Sequence, residues 1–252
     1  MSTEKTTSHA GATIIEAMFG AGVHFGLGRS RRNPTIAPFI FGTKNSTDLF
    51  DLEKTAPVLE KAKAYVSQLA SEGKTILFVG GKREASAIVK LAAQSLNLPY
   101  VEGRWIGGTF TNFTQTRKRI DRYEKIVSDR EKGELLKYTK RERMLIGKEV
   151  EKLERMFLGI VSMKKLPDAI FVIDPKREHN AVKEAEDMDV PVIALANSDC
   201  DISDIAYPII GNDGSRQSIQ FIVSEISKAY QAGKKLAKPV GVAEKLAEIK
   251  KA

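Results

Sequence analysis

The sequence predicts a doubly wound α/β fold: a parallel sheet covered by helices on both faces and interrupted by a helical hairpin. Short segments that are apolar throughout alternate with segments whose apolar residues recur at helical spacing. Strands that are apolar throughout belong in a parallel sheet, because both faces of such a sheet are buried. A long charged segment between two of these strands indicates a pair of helices outside the regular alternation.

Five short segments rich in Val, Ile and Phe are predicted as the strands of this sheet. They are Thr75–Val79, Tyr100–Val101, Ala169–Ile173, Val190–Leu195 and Tyr207–Ile210. Apolar residues at helical spacing predict helices around 88–96, 176–187 and 219–230. Strands that alternate with helices in this way form the repeating unit of a doubly wound fold.

The segment before the sheet is predicted to hold smaller elements. Residues 13–21 suit a short helix, and residues 58–69 suit a longer one. Phe39–Phe41 and Asp48–Leu52 are predicted as two strands around a turn at 44–46. Residues 22–34, which we call the arginine loop, are predicted as a glycine-rich loop that presents Arg29, Arg31 and Arg32.

Residues 113–163 are predicted as an inserted antiparallel α-helical coiled-coil hairpin. Its apolar residues follow steps of four and three, which is the spacing of a coiled-coil seam: Phe113, Ile120, Tyr123 and Val127 on one helix, and Ile146, Val150, Leu153, Phe157 and Ile160 on the other. Thr139 and Glu142 have the spacing of a capping box. Since the seam is narrow, we expect the hairpin to bury most of its apolar surface within itself rather than on the sheet, and to project from the body.

The chain therefore divides into four parts. Residues 1–12 are expected to be a disordered tail, and residues 13–112 together with 164–230 to form the α/β body. Residues 113–163 form the hairpin, and residues 231–252 a basic C-terminal tail.

Charge favours a polyanionic partner. The chain carries 40 Lys and Arg against 32 Asp and Glu, a net charge of +8, with a pI near 9.4. Residues 117–155 hold 14 basic and 9 acidic residues, so over half of the excess lies in the hairpin. There is no apolar run of membrane-spanning length and no secretory signal, so we expect a soluble cytoplasmic protein without a membrane partner.

Metal and cofactor sites are not expected. A single cysteine, Cys200, and three scattered histidines leave no metal-ligand motif. Gly80-Gly81-Lys82 follows a strand but matches neither the dinucleotide nor the P-loop fingerprint. Asp174 occupies a typical catalytic location in α/β enzymes, and Asp199, Asp201 and Asp204 could suit magnesium, although loop capping explains all four equally well.

Residues 103–113, at the entrance to the hairpin, combine two roles. The aromatic side chains of Trp105, Phe110 and Phe113 are predicted to fill the junction between body and hairpin. Arg104 with Thr109, Thr111 and Asn112 has the composition that contacts phosphate groups.

Several blocks in one order resemble a known family. They are Gly-Val-His-Phe-Gly at 22–26, Asn33-Pro34 with Pro38-Phe-Ile40, residues 104–112, Pro167-Asp-Ala-Ile-Phe-Val-Ile-Asp174, Pro191-Val-Ile-Ala194 and Gly211-Asn-Asp213. Together they resemble ribosomal protein S2 of bacterial type over residues 13–230. The resemblance departs at Leu27 and Arg32, where members of the family commonly have histidine and tryptophan.

The resemblance implies a Rossmann-like or flavodoxin-like body with a coiled-coil insertion, and a structural role without catalysis, cofactor or small-molecule substrate. It implies binding to 16S rRNA near the head–body junction of the small (30S) subunit. It also implies contact with neighbouring small-subunit proteins, including the largest mRNA-binding one, and so with mRNA indirectly. The candidate RNA-binding residues are His24, Arg29, Arg31, Arg32, Asn33, Lys44, Asn45, Lys82, Arg83, Arg104, Thr109, Thr111, Asn112, Arg117 and Lys118.

Two other interpretations compete with this one. The first is an enzyme that binds a nucleotide or a sugar phosphate through Asp174 and the Gly80 loop. The second is an adaptor whose hairpin binds another protein. The excess of positive charge and the missing phosphate fingerprints favour RNA binding.

Overall fold

The computed structural model of the chain describes residues 14–236. Residues 14–20 are helical (α1). Three short strands follow, β1 (Phe25–Gly28), β2 (Ile40–Lys44) and β3 (Thr47–Phe50), in an antiparallel sheet of order β1-β3-β2. The predicted turn is confirmed, because Asn45 and Ser46 both have positive φ, as a tight hairpin turn requires. The arginine loop differs from its prediction: it contains β1 and the 3₁₀ turn Arg29–Arg31, and a further 3₁₀ segment, Pro34–Phe39, begins at its last residue.

The five-stranded parallel sheet is confirmed. Its strands are β4 (Ile76–Val79), β5 (Tyr100–Val101), β6 (Ala169–Ile173), β7 (Val192–Ala196) and β8 (Tyr207–Ile210), in the order β5-β4-β6-β7-β8. Every neighbouring pair is parallel. Counted in chain order, the strands lie 2-1-3-4-5, which is the flavodoxin-like order, and the direction of winding reverses between β4 and β6.

Helices cover both faces of this sheet. On one face, α2 (Leu52–Ser71), α3 (Arg83–Leu96) and α7 (Arg216–Leu236) pack on alternate strand residues such as Phe78, Phe171 and Ile193. On the other face, α6 (His179–Asp187) and the segment around Trp105 pack on the intervening residues, among them Leu77 and Val172. Alternation along each strand therefore divides the core between two layers.

The interrupting segment forms two helices, α4 (Phe113–Glu131) and α5 (Lys140–Phe157), separated by a 3₁₀ turn at Glu134–Lys137 and followed by another at Leu158–Ile160. The capping box is confirmed: Thr139 N donates to Glu142 Oε2 at 2.9 Å, and Glu142 N donates to Thr139 Oγ1 at 3.4 Å. Arg122 Nε lies 2.8 Å from Glu149 Oε1 and links the two helices.

The expectation that these helices bury most of their apolar surface against each other rather than on the sheet is wrong. Ile120, Leu153 and Phe157 lie in the same core as the sheet residues Leu77 and Val79. A right-handed crossover between parallel strands needs a helix packed on the sheet, and the base of α4 and α5 takes that place between β5 and β6. In the distal part, Met144 and Leu145 are apolar side chains that are more than half accessible.

Several boundaries differ from the sequence analysis, among them those of α6 and α7. α6 begins at His179, three residues later than the predicted start. α7 continues to Leu236, so residues 231–236, assigned to the C-terminal tail, are helical. The predicted tail at 1–12 and residues 237–252 lie outside the described residues. None of the helices described is long and apolar enough to cross a membrane.

Candidate nucleic-acid interface

The carboxyl edge of the parallel sheet gathers basic residues from four loops. Parallel strands end at the same edge, so the segments that follow them are neighbours. Arg83 follows β4, Arg104 follows β5 and Arg177 follows β6. The arginine loop is joined to the segment after β7. We call the exposed members of this group the carboxyl-edge arginines: Arg29, Arg31, Arg83, Arg104 and Arg177.

Backbone hydrogen bonds hold the arginine loop on this edge. Asn33 N donates to Ser198 O at 2.8 Å, and Leu27 N donates to Ser198 Oγ at 2.9 Å. Asn212 N donates to Val23 O at 3.0 Å. No carboxylate within residues 14–236 forms an ion pair with any of the carboxyl-edge arginines. Their guanidinium groups therefore remain available to an anionic ligand.

Arg32 is placed differently from its two neighbours. Its Nε donates to Asp48 Oδ2 at 2.7 Å, its Nη2 contacts Asp48 Oδ1, and Nη2 also donates to Thr43 Oγ1 at 3.0 Å. Asp48 is fully buried, and the hydrogen bond from Arg32 holds the pKa of its carboxyl below the usual value. Arg32 thus joins the arginine loop to the small sheet, and this internal contact occupies much of its guanidinium.

Lys82 lies in a second internal network. Its Nζ is 2.9 Å from Asp213 Oδ2 and 3.2 Å from Asp174 Oδ2, and Asn197 Nδ2 donates to Asp213 Oδ1 at 2.6 Å. Burial by itself would lower the pKa of Lys82, but the two carboxylates outweigh it and raise that pKa. The network ties together the loops after β4, β6, β7 and β8.

Residues 103–113 surround the carboxylate of Glu184, on α6. Its oxygens accept from Trp105 Nε1 at 3.0 Å, from Gly108 N at 2.8 Å and from Phe110 N at 2.9 Å. The predicted aromatic junction is confirmed, with Trp105 and Phe110 buried edge to face at 5.1 Å. An internal anion therefore occupies the backbone donors of this segment.

The polar side chains of this segment are turned inward in part. Thr109 is buried and donates to Ile106 O at 2.6 Å, and Thr111 Oγ1 lies 3.5 Å from Glu184.

Two candidate residues outside this segment also have internal partners. Asn33 accepts from Thr35 N at 3.0 Å and caps a 3₁₀ turn. Arg117 is bound to Asp121, to Glu124 and to the carbonyl of Val161.

His24 is a packing residue. Its ring stacks on Phe19 at 4.4 Å and lies 4.1 Å from Phe25, and its buried Nδ1 has no partner within the described part of the chain. Burial lowers the pKa of His24, which favours the neutral ring. The remaining candidates are exposed side chains: Lys44, Asn45, Asn112 and Lys118.

Two of the aspartates after β7, Asp199 and Asp201, have partners within the chain. Asp199 pairs with Lys176 at 2.9 Å, and Asp201 accepts from Ser203 N at 3.0 Å. Within residues 14–236 no three His, Cys, Asp or Glu side chains form a group suited to a metal ion. Burial raises the pKa of the Cys200 thiol to about 12, so the thiol is neutral and behaves as a small apolar group.

The sequence analysis missed the buried carboxylates of Asp48, Glu178 and Glu184. For Glu184 a signal existed: it follows Ala181 by three residues, so an acidic residue stands on the apolar face of α6. For Asp48 and Glu178 no local pattern distinguishes a buried carboxylate from an exposed one.

These features define a class of protein. A flavodoxin-like body has internal ion pairs in part of its usual ligand position and exposed arginines around it, an arrangement suited to a polyanion rather than to a nucleotide cofactor.

Comparison with known proteins identifies the family. Residues 18–233 match the model of the family described as Ribosomal protein S2. The small ribosomal subunit protein uS2 of Coprothermobacter proteolyticus is 39% identical over 220 residues, which are 87% of this chain and 82% of the relative. That of Dictyoglomus thermophilum is 40% identical over 223 residues (88% and 91%), and that of Helicobacter hepaticus 43% over 220 residues (87% and 83%).

The chain belongs to the ribosomal protein S2 family. The predicted resemblance is confirmed, and the chain is a ribosomal protein rather than an enzyme. Its location on the cytoplasmic ribosome follows from this membership.

Proposed function

We propose that the chain is a structural component of the small ribosomal subunit that binds 16S rRNA near the head–body junction. The observation that carries this proposal is the set of carboxyl-edge arginines, which are exposed, unpaired within the described residues, and positioned on one edge by the fold. Phosphate groups bind guanidinium groups of this kind through charge-assisted hydrogen bonds. The names of the relatives, proteins of the small ribosomal subunit, support the assignment to that subunit.

We also propose that α4 and α5 form a coiled-coil arm whose exposed part contacts RNA or a neighbouring subunit protein. Its distal surface is basic, and Met144 and Leu145 leave apolar surface uncovered. Under this proposal the chain has the four parts given above, except that the base of the arm belongs to the core of the body.

A further part of the proposal concerns the largest mRNA-binding protein of the small subunit. Phe19 and Phe25 are 63% and 47% exposed and stack with His24 beside the arginine loop. Exposed, clustered aromatic side chains favour contact with a protein partner. This surface supports docking of that protein, and through it an indirect contact with mRNA.

The salt dependence of binding to 16S rRNA tests the RNA interface. Each phosphate contact contributes roughly 0.7 to 0.9 to the slope of log affinity against log salt. Changing Arg29 and Arg31 to Gln should therefore lower the slope by roughly 1.4 to 1.8.

The matched control removes two charges that already have partners. Lys54 and Lys74 pair with Asp51 and Glu72, and their change to Gln should leave the slope unaltered. Equal slopes for both double variants would exclude the arginine loop from the RNA contact.

A further inference from the structure

A cavity of about 350 Å³ opens at the carboxyl edge between the loops that follow β4, β5 and β6. It is lined by Gly81, Arg104, Trp105 and residues 177–180. It lies where the winding of the sheet reverses, the position at which flavodoxin-like folds bind ligands. The Lys82 network fills the neighbouring space but does not line this cavity.

One wall of the cavity carries a buried carboxylate without a partner. Only 6% of Glu178 is exposed, and no hydrogen bond to its carboxylate occurs among residues 14–236. A Cβ atom at Gly81 would lie 2.4 Å from Glu178 Oε1 and 2.6 Å from the backbone oxygen of Gly103, so the close approach of the neighbouring loop requires glycine here. Removing a carboxylate from most of its water is costly, and burial raises the pKa of Glu178 although the neighbouring Arg177 opposes this; the carboxylate oxygens still open to the cavity, because they are not among the enclosed unpaired atoms of the described residues. A ligand with hydrogen-bond donors would offset that cost.

Other lining residues of the cavity favour an anion. Arg104 and Arg177 are exposed and line it. α6 begins at the cavity, and the N–H groups of His179 and Asn180, in its first turn, have no backbone acceptor among the described residues. The start of a helix with free N–H groups binds phosphate. The same cations disfavour an arginine or lysine of a protein partner as the group that meets Glu178.

We propose that this site, the Glu178 cavity, binds an unpaired guanine of the RNA, an inference that rests on the proposed RNA-binding function. The two carboxylate oxygens accept hydrogen bonds from N1 and N2 of the base. Arg104, Arg177 and the start of α6 hold a flanking phosphate.

The chemistry of the bases selects guanine. Its Watson–Crick edge presents two adjacent donors, N1–H and the N2 amino group, which match the two oxygens of a carboxylate. Adenine and cytosine each place a ring nitrogen acceptor beside their amino group, and uracil has one donor between two carbonyl groups. RNA-binding proteins commonly read unpaired bases through this edge.

Trp105 provides a reporter within the site, because it is the only tryptophan of the chain and lines the cavity. The full-length protein is titrated with the oligonucleotides UUGUU, UUIUU and UUAUU while tryptophan fluorescence is followed. Inosine lacks the N2 amino group, so losing one charge-assisted hydrogen bond should weaken binding roughly 10-fold relative to guanine. Adenine should bind more weakly still. Equal affinities for the three oligonucleotides would overturn the proposal.

Variants assign the preference to residues. Glu178→Gln should remove most of the difference between UUGUU and UUIUU, whereas Glu186→Gln, an exposed residue of the same helix outside this cavity, should retain it. Changing Arg104 and Arg177 to Gln should weaken all three oligonucleotides alike. A guanine preference that survives Glu178→Gln would contradict the proposal.

Two further measurements are needed. One distinguishes guanine in RNA from a free guanine nucleotide, and the other distinguishes failure of the cavity proposal from failure of the proposed function. GMP should bind more weakly than UUGUU; equal affinity would keep the guanine site but overturn its assignment to RNA. Binding of 16S rRNA is measured in parallel. If wild-type protein binds 16S rRNA with the expected salt slope but does not prefer guanine, the cavity proposal fails and the proposed function stands.

Discussion

Arg32 shows, at the scale of single residues, how a basic side chain in a basic loop becomes structural. The sequence displays its charge but not Asp48, which meets it only after β2 and β3 have paired. Lys82 is similar, because Asp213 lies 131 residues further along the chain. Residue type and loop position were therefore enough to predict where the basic surface lies. They were not enough to predict which of its members are free.

The pairing of Arg32 with Asp48 predicts a pH dependence of stability. The pKa of Asp48 is lowered in the folded protein, so its contribution to stability is complete above the unfolded pKa, about 4. That contribution is lost as pH falls through the folded pKa. Asp48→Asn should destabilise the protein by about 2 kcal/mol at pH 7, because a charge-assisted contact is lost.

Urea unfolding of both proteins between pH 7 and strongly acidic pH checks this expectation. The difference in the free energy of unfolding should narrow as the pH falls. Asp187→Asn, at an exposed aspartate that forms no ion pair among residues 14–236, is the control. A difference that is independent of pH would show that the charge of Asp48 is not the cause.

At the scale of elements, α4 and α5 show that periodicity predicts helices but not the partner against which their apolar faces pack. The spacing of apolar residues and the capping box gave the two helices and their order. The same spacing suits a stripe that faces a partner helix and a stripe that faces a sheet. Ile120, Leu153 and Phe157 face the core of the body, which only the packing reveals.

This division of the arm predicts the outcome of two deletions. Replacing residues 126–146 with a short Gly/Ser linker keeps the Arg122–Glu149 pair and the three core residues, so the body should unfold cooperatively. Replacing residues 114–159 removes those residues and exposes Leu77 and Val79, so a cooperative transition should be lost.

Circular dichroism during urea titration distinguishes the two variants. The shorter deletion should also weaken incorporation into small subunits if the exposed part is a contact arm. Normal incorporation would contradict the proposal that the exposed part of α4 and α5 contacts RNA or a neighbouring subunit protein. A cooperative transition after the longer deletion would show that the base of the arm is dispensable for the core.

For the whole molecule, the alternation of strands and helices was sufficient to predict the parallel sheet and its two covered faces. The side chains that lie where the winding of the sheet reverses, between β4 and β6, could not be predicted. The network there joins Lys82 with Asp174, Asn197 and Asp213, which are distant in sequence. The missing glycine fingerprints indicated only that a nucleotide cofactor was not expected. In the structure, side chains of the chain itself fill part of that position.

This arrangement predicts that NAD and ATP leave thermal stability unchanged. A ligand present at about 100 times its dissociation constant would add about 2.7 kcal/mol to stability. Melting temperatures are measured by differential scanning fluorimetry with each nucleotide at millimolar concentration. 16S rRNA serves as the positive control. A saturable increase with either nucleotide would restore the interpretation as a cofactor-binding protein.

The order of strands in the sheet also determines when each strand can pair with its neighbours during translation. β4 lies between β5 and β6, yet its partner in β6 is made late: Ile76 pairs with Ala169, 93 residues downstream. While the ribosome translates α4 and α5, β4 has only the two residues of β5 as a neighbour. During this time the apolar strand β4 has its β6-facing edge unpaired, and an unpaired strand edge can associate with other nascent chains. Burial of β4 in the sheet therefore depends on completion of the chain through β6.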